Sequence, residues 1–370
     1  MLGVVSNYAF FFAFETASFL RNIVNCMTKM LFMKTALKIF RYLLMLLSLA
    51  AIQGCQHRQE IIMSVKGPIE AGTAGVSLPH EHFLVDFIGA DSSGYHRWNR
   101  DTVIAKVLPY LLEAKQAGIH TIMECTPAFL GRDPLLLQKL SELSGINILT
   151  NTGYYGAIEK KALPPDAFTE TVDQIAERWI IEWQSGIEST RIRPGFIKIA
   201  VPDDSLEPVH EKIVRAAARA HLKTGLTINA HTGPEAPAMA ELQILEEEGV
   251  DPSAFIWTHA QAGSQASHIS LAEKGAWISL DNVMEDNIES YVSMLSNLKQ
   301  NDLLHKVLIS HDAGWYDVVD PASVTYRGYT ALFTHLKPAL LLAGFTEADW
   351  QLLTVTNPKK AYTIRVRKIK

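Results

Sequence analysis

Cysteine is nearly missing: there are three in 370 residues, at positions 26, 55 and 125. Three thiols without regular spacing exclude a disulfide framework and a cysteine-held zinc site alike. Long basic runs are missing beyond the amino-terminal segment. With a net charge of −5, the chain lacks the electrostatic footprint of a nucleic-acid binder. No repeat, low-complexity tract or linker interrupts residues 66–364. The glycine-rich dinucleotide turn is absent after the first strand-like run, which counts against a dinucleotide-binding sheet. What remains is an ordinary globular composition, 48% apolar and 20% charged, long enough to bury a full core without disulfide or metal.

The first 54 residues read as a segment apart from the fold. Lys34, Lys38 and Arg41 precede the apolar stretch 42–52, and Gln53-Gly54-Cys55 follows. A charged region, a short apolar core and a small residue at its end have the order of an export signal. That core is shorter than the ~20 residues of a membrane span. The ending Ala-Ile-Gln-Gly-Cys resembles a bacterial lipobox, so Cys55 is the expected lipidation site. The mature protein is then an exported lipoprotein of the cell envelope; plain secretion and an uncleaved anchor are the competing readings. Residues 1–32 read as an overlong start ahead of Met33, or as an additional anchor helix interrupted by Glu15. A short linker at 55–65, a body at 66–364 and a basic tail at 365–370 complete the expected organisation.

Along the body, short strand-like runs recur at 76–83, 119–124, 146–150, 195–201, 226–230, 254–259, 276–280 and 305–310. Helical spacing fills 101–117, 133–144, 168–185, 208–224, 237–248, 265–274 and 287–299, and a final pair lies near 323–343 and 346–353. Strand and helix alternating eight times imply parallel pairing with right-handed crossovers. A closed (β/α)8 barrel is the economical fold, with a doubly wound open sheet as runner-up.

Residues i and i+2 of a strand share a face, so His80 and His82 point together. His231 ends the run 226–231, His259 ends 255–259, and Asp312 follows 307–311. Carboxyl ends of strands are where barrel enzymes place their chemistry. Four imidazoles and a carboxylate suit a borderline divalent metal such as zinc rather than calcium or magnesium. Lys198 is the one cation in the middle of an apolar strand, 195–201. It reads equally as a lysine that snorkels or pairs with a carboxylate, or as an amine freed by burial to capture carbon dioxide.

These residues carry a resemblance. Leu78-Pro-His-Glu-His-Phe-Leu-Val-Asp86, Gly118-Ile-His-Thr-Ile, Gly131-Arg-Asp133, Gly195-Phe-Ile-Lys198, Ala216-Ala-Ala-Arg219, His231-Thr and Thr354-Val-Thr-Asn-Pro358 resemble the phosphotriesterase family of the amidohydrolase superfamily. The resemblance spans roughly 66–364, with the motifs in order, and leans to the phosphotriesterase-homology and lactonase-like branch. It implies a binuclear centre in a (β/α)8 barrel. His80, His82 and Asp312 would hold the buried metal, and His231 and His259 the exposed one. Lys198, carboxylated, and a hydroxide would bridge them. Two cations so placed acidify the bridging water and polarise the substrate oxygen.

The sequence also departs from the phosphotriesterases proper. Their carboxylate three residues after the sixth-strand histidine is here Ala262, their histidine after Asp281 is Asn282, and the lactonase arginine is absent. Tyr155 matches a lactonase-branch tyrosine that donates to the substrate carbonyl or the attacking hydroxide; its alternative is an aromatic packed at the rim. Glu81 and Asp86 read as supporting or packing groups, His311 as a rim residue and Glu124 as an inward-facing acid. Trp315 and Tyr316 are candidates for the leaving-group pocket.

The expected function is hydrolysis of an ester-type bond, lactone or carboxylic ester first, with Asp312 accepting the hydroxide's proton. Phosphotriester or phosphoester hydrolysis is the alternative, followed by amide or deaminase chemistry. A metal-holding barrel that binds without turnover is the reading from outside enzymology. The expected partners are a small-molecule substrate, a membrane through Cys55 and a second copy in a homodimer.

Overall fold

The computed structural model describes residues 5–53, 60–321 and 325–370, with side chains from 18 to 45 in the first stretch. The chain divides into two units after Gln59. The first is a single helix, Val5–Gln53, exposed wherever its side chains are described. It includes the cationic patch and the apolar stretch of the expected signal; Cys55 lies outside the described residues. Among the described residues no helix is long and apolar enough to cross a membrane.

The second unit contains eight parallel strands, one at each strand-like run. They are β1 (Ser77–Glu81), β2 (Thr121–Glu124), β3 (Asn147–Leu149, resuming at Asn151–Thr152), β4 (Phe196–Ala200), β5 (Ile228–His231), β6 (Phe255–Thr258), β7 (Trp277–Asp281) and β8 (Val307–Ser310). Their residues are almost all buried on both faces, which is why they read as near-continuous apolar runs rather than alternating ones. Each pairs with the next, and β3 shifts partners at Thr150, its first half lying on β2 and its second on β4. β8 returns to β1: the Asp312 N–H donates to the His80 carbonyl at 3.1 Å, and the His82 N–H to that of Ala313 at 2.9 Å. Those bonds close the (β/α)8 barrel.

Inside, Met123, Leu149, Phe196, Ile256, Trp277 and Leu308 fill the lower interior, with Cys125 as one more small apolar group among them. Tyr362 plugs this end, its hydroxyl donating to the Pro79 carbonyl at 2.9 Å. Outside lie seven crossover helices: α1 (Arg100–Gln116), α2 (Pro134–Ser144), α3 (Val172–Ser185), α4 (Pro208–Thr224), α5 (Glu235–Glu247), α6 (Gln265–Lys274) and α7 (Ile288–Gln300). Their ends follow sequence chemistry. Asp133 caps α2 by accepting from the Leu136 N–H at 3.1 Å, Pro134 opens it, and Gly145 in the left-handed region closes it. Ala216, Ala217, Ala218 and Ala220 on α4 are all buried, small enough for the helix to lie close to the sheet.

Three features differ from the sequence reading. Ile61–Ser64, expected within a linker, pairs antiparallel with Gly67–Glu70, and Gly67 supplies the positive φ of the turn. The last helical pair starts at residue 331 rather than 323, after a loop. Each of its helices has a wide turn, Leu332–Leu336 and Leu352–Thr356, just before Pro338 and Pro358. A proline has no N–H to give and crowds the carbonyl four residues back, which the wider turn accommodates. The basic tail is part of the body: Arg367 is buried and donates to the Ala361 and Thr363 carbonyls and to the Thr227 hydroxyl.

Candidate metal centre

The barrel register sets the site. Lys198 stands opposite Asn229, Ala200 opposite His231, and Asp281 opposite Ser310, so β4 to β8 deliver their last inward side chains at one level. The backbones of His259 and Asp312 take φ of 64° and 49°, a left-handed conformation uncommon for such residues, just where each chain leaves its strand. That turn directs both side chains over the barrel mouth.

Asp281 is the organiser. Its Oδ2 lies 2.9 Å from His80 Nδ1 and its Oδ1 lies 2.6 Å from His259 Nδ1. The carboxylate is held well below the usual range: burial opposes ionisation, but the two imidazoles outweigh it. An ionised carboxylate only accepts, so both Nδ1 atoms carry the proton and both Nε2 atoms present lone pairs. His82 is fixed similarly. Its Nδ1 lies 2.8 Å from the Thr126 hydroxyl, and that hydroxyl donates to Glu124 at 2.6 Å, leaving its oxygen to accept from the imidazole.

His80 Nε2 and His82 Nε2 are therefore two acceptors 3.2 Å apart. Asp312 Oδ1 is 3.2 Å from His82 Nε2 and 3.6 Å from His80 Nε2, is buried, and has no hydrogen-bond partner. Three acceptors facing one another repel unless a cation lies between them. His80, His82 and Asp312 form such a metal-binding group by geometry. On the other side of the mouth, His259 Nε2 meets His231 Nδ1 at 2.8 Å. The residues present fit divalent metal.

Burial keeps three of the four ligand imidazoles neutral, as metal binding requires. It pulls His80 down to about 4 and His82 to about 3, with the Lys198 charge adding to both, and holds His231 well below its ordinary value. For His259 burial pulls the same way, but Asp281 outweighs it and the value rises. Burial raises Asp312. Lys198 is 1% exposed, its Nζ donating to Asn229 Oδ1 at 2.8 Å.

All six residues singled out as metal ligands thus lie at the mouth, His80 and His82 buried, His231 and His259 partly open to solvent. Tyr155 joins them, its hydroxyl 3.2 Å from His231 Nε2. Trp315 packs on His82 with ring centroids 4.8 Å apart. Tyr316 instead pairs with Leu84 in a short strand outside the barrel.

One expectation is corrected. His311 is buried, not at the rim: its Nδ1 sits 2.7 Å from Glu81, and its Nε2 accepts from the Leu332 N–H. Glu81 also accepts from the Ser310 hydroxyl and the Ala313 N–H, which fixes the β8 end that carries Asp312. Glu124 reaches the centre only through Thr126, its carboxylate also accepting from the Phe83 N–H at 3.2 Å. Burial pushes it up to about 8.

Four further residues hold the site that the sequence reading passed over: Asp281, Thr126, Gln261 and Arg327. Gln261 clamps Asp281, accepting from its N–H at 3.1 Å and donating to its carbonyl at 2.9 Å. Arg327 bridges Asn282 Oδ1 at 3.3 Å and the His311 carbonyl at 3.0 Å, and also donates to that of Asp312. Asp281 had a signal, since like His231 it ends a strand. Gln261 and Arg327 had none.

Comparison with known proteins agrees with this architecture. Residues 61–362 match the phosphotriesterase family. The chain is 27% identical to the phosphotriesterase homology protein of Escherichia coli K12, over 78% of this chain and 98% of that one. It is 29% identical to the aryldialkylphosphatase of Saccharolobus solfataricus, over 80% and 98%. An N-acetyltaurine hydrolase of Dictyostelium discoideum is 28% identical over 68% and 70%. Among solved structures, an organophosphorus hydrolase from Deinococcus radiodurans superposes with a TM-score of 0.74 at 25% identity, covering 83% of this chain and 98% of that one. The chain belongs to the phosphotriesterase family.

Proposed function

We propose that this hydrolase is metal-dependent and cleaves an ester-type bond, a lactone or carboxylic ester before a phosphoester. One observation carries the reading: the lone pairs of His80, His82 and Asp312 converge where only a cation satisfies them. His80, His82 and Asp312 would hold one divalent ion and His231 with His259 a second, zinc being suited to such ligands. Carboxylated on Nζ, Lys198 would present one oxygen to each side. Ions held there supply a water acidified to near-neutral pKa and polarisation of the substrate oxygen.

The chain's own residues do the rest. Asp312, raised by burial and lacking a partner on Oδ1, is placed to accept the proton of the attacking water. Asp281 holds two imidazoles in one tautomer throughout. The Tyr155 hydroxyl, which burial keeps protonated, is placed to donate to the substrate oxygen beside His231. Trp315 shields the His82 side of the mouth. The relatives named for dialkylphosphate esters and for N-acetyltaurine make phosphotriester and amide cleavage the readings to separate from this one. At its front end the protein is proposed to be an exported lipoprotein anchored through Cys55, on the order of charge, apolar stretch and small residue in 34–55.

The experiment is a screen of lactones, aryl carboxylic esters, organophosphate triesters and N-acyl amines with the metal-loaded protein. Turnover of a lactone or aryl ester, lost with chelator and restored by zinc, is the expected result. Preferential turnover of a triester or an amide would replace the ester reading. Undiminished activity in chelator would remove the metal.

A further inference from the structure

Away from the metal mouth, a groove of about 510 Å³ runs between the hairpin 61–70, α2 and the turn ahead of β4. Its charged lining residues are Lys66 on the hairpin turn and Arg191 and Arg193 ahead of β4, all three exposed. Among the described residues no acid lines it. No residue of the metal centre lines it either. Arg191 and Arg193 precede the amino end of β4, whereas the mouth opens at the carboxyl ends of the strands.

The backbone that presents these cations is fastened. The Val65 N–H donates to the Ile148 carbonyl at 2.8 Å, and Gln138 donates to the Val65 carbonyl at 3.2 Å. Gly195 lets the hairpin lie close, because a Cβ there would stand 2.5 Å from the Met63 carbonyl oxygen. The Ile187 N–H closes the turn 187–192 on the Ile192 carbonyl at 2.8 Å. The charges, by contrast, are left over. Arg97, Arg100, Arg132, Arg178, Arg215 and Arg219 each meet a carboxylate within 2.9 Å. Among the described residues Lys66, Arg191 and Arg193 make no ion pair; Arg193 lies over the Trp183 ring, 5.9 Å from its centre. In a chain of net charge −5, three cations on one groove without an acid are an exception. Beside them Pro68 and Leu135 expose apolar surface, Leu135 to 44%.

We infer that this groove is a docking surface for the phosphate headgroups of an anionic lipid bilayer. The inference rests on the reading that Cys55 carries the anchor. An acylated Cys55 is joined to Glu60 by five residues, whose full reach is about 18 Å, and the hairpin follows at once. A lipid chain beside a basic patch supplies the two signals that stable attachment to a membrane surface needs. Phosphate oxygens accept from lysine and, through paired N–H groups, from arginine. Pro68 and Leu135 suit the shallow apolar layer beneath the headgroups. Docking of this kind occupies no residue of the mouth.

The test is hydrogen–deuterium exchange of the full chain with two kinds of vesicle, phosphatidylcholine alone and a three-to-one mixture with phosphatidylglycerol. Exchange across 64–68 and 189–193 should slow with the anionic vesicles only. It should recover in about 1 M salt, where the screening length shortens to about 3 Å. Lys66→Gln, Arg191→Gln and Arg193→Gln should each lower the docking equilibrium read from that protection about fivefold, and the triple variant about 100-fold. Cations of the amino-terminal segment stay in every variant, so the difference between variants reads the groove. All three side chains are exposed, so melting temperature and metal content should match the parent's. Equal protection by neutral vesicles, no protection by either, or undiminished protection in the triple variant would overturn the docking surface. So would protection by inorganic phosphate without vesicles, which would make the groove a site for a dissolved anion. Mass spectrometry of Cys55 on the same preparation separates the two readings. A bare Cys55 with a protected groove refutes the anchor alone, and an acylated Cys55 with an unprotected groove refutes the docking alone.

Discussion

His80 and His82 face each other through Nε2 atoms 3.2 Å apart, and neither nitrogen carries a proton. Asp281 takes the proton side of one ring and Thr126 that of the other, so rotating a tautomer offers no relief. His82→Ala should therefore remove repulsion and ligand together. The metal-free variant is expected to be no less stable than the metal-free parent, while losing metal and more than about 100-fold of turnover. Elemental analysis beside a urea melt reads both. Full metal content in the variant would discard His82 as a ligand.

Asp281 touches two rings without standing at the open side of the mouth, where its own exposure is 0%. Asp281→Asn can still accept on its oxygen but presents an amide N–H to the other imidazole, which must then reverse its tautomer. Metal affinity is expected to drop about 10–100-fold. A competition titration against a chromogenic chelator measures it, and an affinity equal to the parent's would show that the tautomers are set elsewhere.

Much of this site was legible because a barrel writes its plan locally. Each strand is a short run buried on both faces, and the chemistry follows at its carboxyl end, so His231, His259 and Asp312 stand out by position. What holds them was not legible. Gln261, Thr126 and Arg327 matter through partners 15 to 45 residues away. Sequence shows the charge of Arg367 but not the carbonyls that surround it, which is why a buried residue read as part of a tail. Ile61–Ser64 is the opposite case: four residues are too few to show a period, and only the Gly67 turn behind them marks the hairpin.

Glu241 lies on α5, fully buried, one oxygen accepting from the Thr232 hydroxyl and the other without a partner. Burial pushes its carboxyl up to about 8, against the pull of that hydrogen bond. A folded pKa above the unfolded one means the native state keeps a proton that the unfolded chain has released. The resulting stability is complete below the unfolded value of 4.5 and is lost as pH rises through about 8. Glu241→Gln imitates the protonated form at every pH. Its urea midpoint relative to the parent's should rise from about pH 5 to about pH 8.5. A difference that stays constant across that window would mean that Glu241 is ionised in the fold.

Cys55 can be tested independently of the barrel. The export reading expects mass spectrometry of the membrane fraction to find an amino terminus at Cys55 carrying acyl chains. Cys55→Ser should accumulate as the unprocessed chain or appear in the soluble fraction. A wild-type protein that is wholly soluble and unacylated defeats the anchor, and leaves the barrel's chemistry untouched.

Lys198 is the sharpest test of a two-metal centre. Its stem is buried on β4, and its Nζ is held by Asn229, which stands opposite it on β5 and also accepts from the Thr258 hydroxyl at 2.8 Å. An ammonium group there repels the cations that His80, His82 and Asp312 call for. Reaction of the free amine with carbon dioxide releases a proton and leaves a carbamate, one negative charge on two oxygens, which reverses the sign. Lys198→Ala should then lose both metals rather than one, and added acetate should restore part of the activity. Lys198→Glu should retain some function, because its carboxylate reaches nearly the same space. Elemental analysis with and without bicarbonate distinguishes the outcomes. Two metals and full turnover in Lys198→Ala would falsify the bridge, because no other acidic or amine side chain reaches that position among the described residues of β4, whose sequence is Phe-Ile-Lys-Ile-Ala.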